Sequence, residues 1–231
     1  MVSIRMVDAK FDAAQIASIY KPFVLGSPIT FESVPPDEFS MYERISKVTA
    51  HYPWLVCESN DNILGYAHGS RFRERQAYEQ VVETTVYVKE SSQGIGVGLG
   101  LYTSLINCLK SLGFAKAVGV VAIPNKPSQN LHKRAGYKHE ATLPKIGLQH
   151  GIWQDIEIWT LQLRVTSRKE TKPIDPNKLK RDNAIKNKEK SFFGLPGNPI
   201  SSAACFRFFV YTFNYFLYLV YQTNFDKSII F

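Results

Sequence analysis

Cysteine is scarce in this chain. Cys57, Cys108 and Cys205 are the only three in 231 residues, an odd number, far apart and outside metal-ligand spacing. That argues against a disulfide frame or a zinc site and implies reduced thiols in a cytosolic setting. The N-terminus MVSIRMVDAKFD lacks the charged-then-apolar layout of a secretion signal, so no export is expected from that end. An excess of one charge sign is missing from most of the chain. Residues 1–163 hold 16 Lys+Arg against 15 Asp+Glu, so +7 of the net charge of +8 belongs to residues 164–231. The basic character is that of a tail, and it does not point to a nucleic-acid partner.

What is present centres on residues 81–100, VVETTVYVKESSQGIGVGLG. The first half is rich in β-branched and aromatic residues and reads as a buried strand. The second half packs Gly94, Gly96, Gly98 and Gly100 into seven residues. It runs into LYTSLINCLKSLG, where Leu101, Leu105, Leu109 and Leu112 recur near the helical period and Gly113 marks the stop. Strand, glycine turn and helix N-terminus together make a site for an anion, most often a phosphate. A P-loop would need Lys-Ser/Thr after its last glycine, and Leu101-Tyr102 stands there instead. A dinucleotide fingerprint begun at Gly94 or Gly96 meets Leu99 or Leu101 where its third glycine belongs. Two readings of Gln93-Gly94-Ile95-Gly96-Val97-Gly98 remain: a pyrophosphate loop of another kind, or a flexible turn before an ordinary helix.

The flanking chain alternates short strands with helices. Residues 2–7 read as a strand. Residues 11–20 read as a helix, with Phe11, Ile16, Ile19 and Tyr20 at helical intervals and Asp12 as its cap. Gly26-Ser27-Pro28 and Pro35-Pro36 enclose a loop, ITFES, and residues 37–52 form a second helix. Two strands, 54–58 and 63–70, flank the turn Ser59-Asn60-Asp61-Asn62, which has hairpin character. After the polar stretch 71–80 and the glycine loop come a strand at 116–123, a short helix at 126–135 and strands at 137–142 and 156–163. The order β-α-α-β-β-β-α-β-α-β-β predicts an α+β, or mixed α/β, sheet with helices on both faces.

That order, with the glycine loop after the fourth strand, resembles the GCN5-related N-acetyltransferase (GNAT) superfamily, whose Q/R-x-x-G-x-G/A loop is matched by residues 93–98. Longer stretches are similar to its phosphinothricin and methionine sulfoximine N-acetyltransferase branch: TFESVPP, PWLVCE, GYAHGSRFRERQAY, VETTVYV, QGIGVGLGLYTSL, IPNKPSQNLHKRAGY and HGIWQDIEIW. They occur in that branch's order and cover residues 2–163. The resemblance implies a central mixed, mostly antiparallel sheet and acetyl-CoA as co-substrate, with no metal. It also implies a small amino acid as the acetyl acceptor, a homodimer and a cytoplasmic location. By the same resemblance the pyrophosphate would lie on Gln93, Gly94, Ile95, Gly96, Val97 and Gly98. The pantetheine arm would lie along Val86, Tyr87 and Val88, with Asn125 and Ser128 nearby. Another amine as acceptor, or a coenzyme A-binding or membrane-tethered module without catalysis, are the alternatives.

Acetyl transfer from a thioester to an amine needs a neutral amine, a polarised carbonyl and a protonated leaving thiolate. Glu83 stands in an apolar strand, where burial would lift its pKa toward a base's range; a solvent-facing Glu is the alternative. It matches the family's base. His132 matches a helix position that carries Tyr in many acetyltransferases and His in this branch. It is a candidate proton relay, or a surface His with a packing role. Arg73, Arg75 and Tyr78 match the branch's substrate loop, where two guanidinium groups suit a carboxylate and a second polar head group. Phe31 resembles the aromatic wall over the substrate, or is a core residue. Cys57 and Cys108 lie in apolar runs, and an acyl-enzyme is unneeded when an amine can attack the bound thioester directly.

Two departures from the branch bear on substrate preference. Where it reads G-F-K-H-G this chain has Gly147-Leu148-Gln149-His150-Gly151, with one aromatic and one cation missing. Gly119 replaces an Ala inside a strand, which would weaken the strand. Beyond the resemblance, residues 164–190 read as a charged disordered linker. Residues 191–231 form an aromatic extension in which 203–221 is about as long as a membrane span, yet contains Arg207, Thr212 and Asn214. A tail anchor, a packed segment or an extension without a role are the readings of that extension.

Overall fold

Asp8 opens the first helix, in place of the expected Asp12. In this computed structural model, which describes residues 2–166 and 191–192, α1 (Ala9–Gly26) follows Asp8, whose side chain accepts from the Lys10 amide. Asp12 lies a turn further in and is buried, held by two hydrogen bonds from Arg5, Nη1 at 2.7 Å and Nη2 at 2.9 Å. A forked guanidinium engages both carboxylate oxygens at once, and Oδ2 also accepts from the Asp8 amide at 2.8 Å, so Asp12 backs the helix start from inside the first turn and is not its N-cap. Arg5 sits on β1 (Val2–Met6), so this ion pair fastens the first helix to the first strand.

The remaining elements are α2 (Glu38–Thr49), β2 (Trp54–Ser59), β3 (Asn62–Arg71), β4 (Val81–Val88), α3 (Val97–Ser111), β5 (Lys116–Ile123), α4 (Lys126–Arg134), β6 (Lys138–Gln149), β7 (Ile152–Gln162) and the two-residue β8 (Ser191–Phe192). The sheet order is β6-β7-β5-β4-β3-β2-β1-β8. The β4–β5 pairing is parallel and the other pairings are antiparallel. β2 and β3 meet at a two-residue turn in which Asn60 and Asp61 both have positive φ, as a type I′ hairpin demands. β6 and β7 are longer than expected. Register shifts between His139 and Ala141 and between Leu143 and Gly147 break the alternation that sequence patterning relies on. Residues 203–221 and nearly all of 164–190 lie outside the described residues.

Helices cover both faces, and each face has its own core. α3 places Leu101, Leu105 and Leu109, all fully buried, against Leu55, Ala67, Val82 and Ala117 of the sheet. Each such side chain contributes about 1.5–3 kcal/mol by leaving water. On the other face α1 and α2 bring Ile16, Ile19, Met41 and Ile45 onto Trp54, Val56 and Tyr66. Among the described residues no helix is long and apolar enough to cross a membrane.

A half-buried histidine borders the second core. His68 stacks on Trp54 with ring centroids 4.1 Å apart, and burial holds its pKa down at about 4. In the unfolded chain a histidine takes its proton near pH 6.5. Between these values the unfolded state binds a proton that the folded state refuses, so stability falls as pH drops through that window. Burial also lowers the pKa of His132, which adds in the same direction. A His68→Phe variant is expected to lose less melting temperature than the parent between pH 6.5 and 4.5, read by scanning calorimetry. An equal loss in both proteins would remove His68 as a source of the acid sensitivity.

Candidate active site

β4 and β5 pair over only three residues, Val81 with Lys116, Val82 with Ala117 and Glu83 with Val118. Past that point β5 stays with β7 as far as Ile123–Asp155, and β4 stays with β3 as far as Val88–Gly65. The two strands part at Glu83. Residues 84–88 of β4 therefore keep no strand partner on the β5 side, an internal edge about 17 Å long at the usual strand rise. Val86, Tyr87 and Val88 lie on this edge. Val86 and Val88 pack toward α3, and the Tyr87 ring meets those of Tyr20 and Phe23 at 4.9 Å.

At the end of the edge the chain makes a short turn, Glu90–Ser92, and enters the glycine loop. Gly94 and Gly96 have φ of 76° and 96°, conformations that side chains rarely adopt. Gly96 is the N-cap of α3 and supplies no side-chain cap, so the first N–H groups of a 15-residue helix point outward unspent. Gln93 donates from Nε2 to the Val88 carbonyl at 3.2 Å, tying the loop to the strand end. Gly98 brings the first turn close to α4, since a Cβ there would stand 3.2 Å from Leu131. The helix thus starts at Val97, earlier than leucine spacing alone indicates. A track of free backbone groups leads from Glu83 to a helix N-terminus, which suits an extended ligand with an anionic end.

Glu83 faces the α1/α2 side of the sheet, as do Thr85 and Tyr87 by strand alternation, and it is half-buried. Burial raises its pKa, and among the described residues it has no ion-pair partner. The same face of β5 and β7 is left partly open, with Val120 exposed. Over this face runs the loop between α1 and α2. Thr30 Oγ1 and the Tyr20 hydroxyl are 2.6 Å apart, and Arg44 holds the Glu32 carboxylate with two hydrogen bonds of 2.8 and 3.0 Å. Phe31, 43% exposed, lies against Gly147 of β6, and Gln149 donates to the Glu32 carbonyl at 2.9 Å. Arg73 and Arg75 stand in the exposed turn between β3 and β4, at the Glu83 end of the strand. The Arg73 guanidinium lies 5.2 Å from the Phe72 ring and 5.5 Å from the Tyr78 ring, and neither arginine has a carboxylate partner among the described residues.

His132 is not a surface residue. It is 3% exposed on α4, with Nδ1 2.8 Å from the Ser128 carbonyl and Nε2 3.0 Å from the Tyr102 hydroxyl. The carbonyl can only accept, so Nδ1 carries the proton and Nε2 accepts from Tyr102. Burial keeps the ring neutral. Gly119 makes the seat. A Cβ there would run into the His132 ring, so the glycine expected only to weaken β5 admits the imidazole against the strand. Thr84 continues the network, with its Oγ1 2.8 Å from the Tyr137 hydroxyl and its carbonyl 3.5 Å from that of Tyr102. The network backs β4 directly behind Glu83. Asn125 caps α4 by accepting from the Ser128 amide at 3.1 Å, and the Ser128 hydroxyl lies 3.4 Å from His132 Nδ1.

Tyr102 and Gln149 have roles that their sequence positions do not announce. Tyr102 sits at a helical interval that any core tyrosine could fill. The Gln149 bond to Glu32 spans 117 residues of chain. Cys57 and Cys108 are free thiols whose pKa burial pushes up to about 11, poor nucleophiles at neutral pH. Among the described residues no cluster of His, Cys, Asp and Glu is placed to hold a metal.

Comparison with known proteins agrees with this geometry. The family described as an acetyltransferase (GNAT) domain matches residues 4–159. A phosphinothricin N-acetyltransferase of Streptomyces viridochromogenes is 34% identical over 148 residues, 64% of this chain and 81% of the relative. An L-methionine sulfoximine/L-methionine sulfone acetyltransferase of Salmonella typhimurium is 32% identical over 165 residues, covering 70% and 95%. Among solved structures, a GNAT superfamily phosphinothricin acetyltransferase of Sinorhizobium meliloti in complex with AcCoA superposes with a TM-score of 0.71 at 31% identity, over 76% of this chain and 96% of that one.

Proposed function

The chain belongs to the GNAT acetyltransferase family, and from that premise we propose that it transfers the acetyl group of acetyl-CoA to the α-amino group of a small amino acid with a second polar head group. Phosphinothricin, methionine sulfoximine and methionine sulfone are the acceptors of this kind. The observation that carries the reading is the carboxylate of Glu83, without an ion-pair partner among the described residues, at the point where β4 and β5 part. A pantetheine arm would take the unpaired edge of residues 84–88, with the thioester near Glu83 and the pyrophosphate on the amides of the 93–98 loop.

Glu83 then takes a proton from the acceptor ammonium, directly or through water. The neutral amine attacks the thioester carbon, forming the C–N bond, and the C–S bond breaks to release coenzyme A as the thiolate, which is protonated as it leaves. Arg73 and Arg75, without carboxylate partners among the described residues, suit the acceptor's carboxylate and head group, with Tyr78 beside them and Phe31 overhead. His132 and Tyr102 act from behind the strand, holding β4 in register with a neutral imidazole. The β6–β7 hairpin exposes Leu143, Ile146, Leu148, Ile152 and Trp153, an apolar surface that supports pairing with a second copy.

The test is thiol release from acetyl-CoA by the full chain, with those three acceptors beside ordinary amino acids, polyamines and a peptide N-terminus. Turnover confined to the first group is the expected result. Turnover elsewhere overturns the acceptor class, and coenzyme A binding without turnover overturns the enzyme reading.

A further inference from the structure

The loop that carries Phe31 is clamped from two sides. From the helices, Tyr20 hydrogen-bonds Thr30 and Glu32, and Arg44 grips the Glu32 carboxylate. From the sheet, Gln149 on β6 donates to the Glu32 main-chain carbonyl, and Gly147, two residues earlier on the same strand, leaves the space that the Phe31 ring fills. β6 reaches the loop because it bends. The register shifts between Leu143 and Gly147, Lys145 takes φ 49°, and the Lys145 amide is pinned to Asp155 at 2.8 Å. Between the two clamps lies the open floor of β5 and β7, with Glu83 at its margin.

We propose that Gln149 is a positioning residue that sets acceptor specificity, by fixing Phe31 and Glu32 over the Glu83 face. The inference rests on the functional reading above and names the part of the chain that shapes the acceptor's pocket. Gln149 is 5% exposed, so its amide cannot exchange the Glu32 carbonyl for water while the loop is seated. The helix-side clamp holds the Glu32 side chain and, through a long 3.4 Å bond to Thr30 Oγ1, its amide N–H, but it does not reach the Glu32 carbonyl. The Gln149 bond fixes that carbonyl, and with it the tilt of the peptide one residue beyond Phe31. Without it, the ring is released from Gly147 and the wall over the acceptor retreats. The acceptor loses apolar contact while acetyl-CoA, bound along residues 84–98, is untouched.

The experiment uses the full chain and three variants. Gln149→Met keeps length and bulk but has no donor; Gln149→Lys keeps an N–H donor at comparable reach; Gly147→Ala intrudes on the Phe31 ring directly. Gln149→Met and Gly147→Ala are expected to raise KM for the preferred acceptor by about fivefold to tenfold, the worth of one buried hydrogen bond. KM for acetyl-CoA and kcat at saturating acceptor should stay within twofold of the parent by the same argument. Preference for that acceptor over alanine should narrow, and Gln149→Lys should recover most of it. An unchanged acceptor KM in Gln149→Met overturns the proposal, as does a drop in kcat shared equally by all acceptors. Chymotrypsin cleavage at Phe31 gives a readout that needs no turnover, and faster cleavage in Gln149→Met is expected. If the parent acetylates no acceptor, the functional reading fails; unchanged cleavage defeats the Gln149 proposal separately.

Discussion

Glu83→Gln should cost about 10²–10⁴ in kcat, some 3–5 kcal/mol of transition-state stabilisation, while leaving the protein more stable at neutral pH. The two effects have one cause. Burial raises the Glu83 pKa, and no partner among the described residues compensates for its charge. A carboxyl whose folded pKa lies above its unfolded one destabilises the fold once pH rises through the unfolded value, because the unfolded chain gives up the proton first. An amide of the same shape removes that penalty and also removes the base. The acidic limb of the parent's pH–rate profile should therefore lie above the usual carboxylate range, and it should vanish in the variant. Paired measurements of turnover and melting temperature decide the matter. A variant that keeps parental kcat would take Glu83 out of the mechanism, and one that loses activity together with stability would point to a structural role.

Gly96→Asp should raise KM for acetyl-CoA at least about tenfold with little change in kcat. The substitution puts a carboxylate at the mouth of the one place where α3 offers unspent N–H groups. Its charge would occupy the helix's positive end and repel a pyrophosphate. Backbone strain enters as well, because φ at this position is 96°. Gly96→Ala carries comparable strain without the charge, so the difference between the two variants isolates the electrostatic part. Equal KM values for both would move the cause from charge to loop shape.

Most of the element order could be read from the sequence, because it depends on local patterns. The strand Val81–Val88, the glycine turn and the leucine-spaced helix follow each other within 31 residues, and Lys116–Ile123 was bounded by its own apolar run and Pro124. Glu83 stood out for the same reason, as one charge in an apolar strand. Local patterns misled at Asp12, where an acidic residue near a helix start looked like a cap. The carboxylate had a distant competitor, Arg5, on another element. They gave Gly119 only a strand-weakening effect, whereas its role as the seat of a ring depends on His132, thirteen residues later and on another element. Gln149 looked like a missing cation until its partner, 117 residues away, was in view. Contacts of that range come from topology, and no periodicity encodes them.

The brief pairing of β4 with β5 has a mechanical consequence. The sheet consists of two ribbons, β8-β1-β2-β3-β4 and β5-β7-β6, stitched by three residue pairs. Apart from the two-pair contact of β8 with β1, the ladders inside each ribbon are longer, up to eight pairs between β5 and β7. Relative rotation of the ribbons therefore meets its least resistance at that stitch, and a small change there opens or narrows the whole gap. Val82 and Ala117, paired across it, are both fully buried against α3, which braces the joint like a splint along a seam. A change of one methylene in that bracing layer, far from any reacting atom, would alter the width of the cleft along its full length.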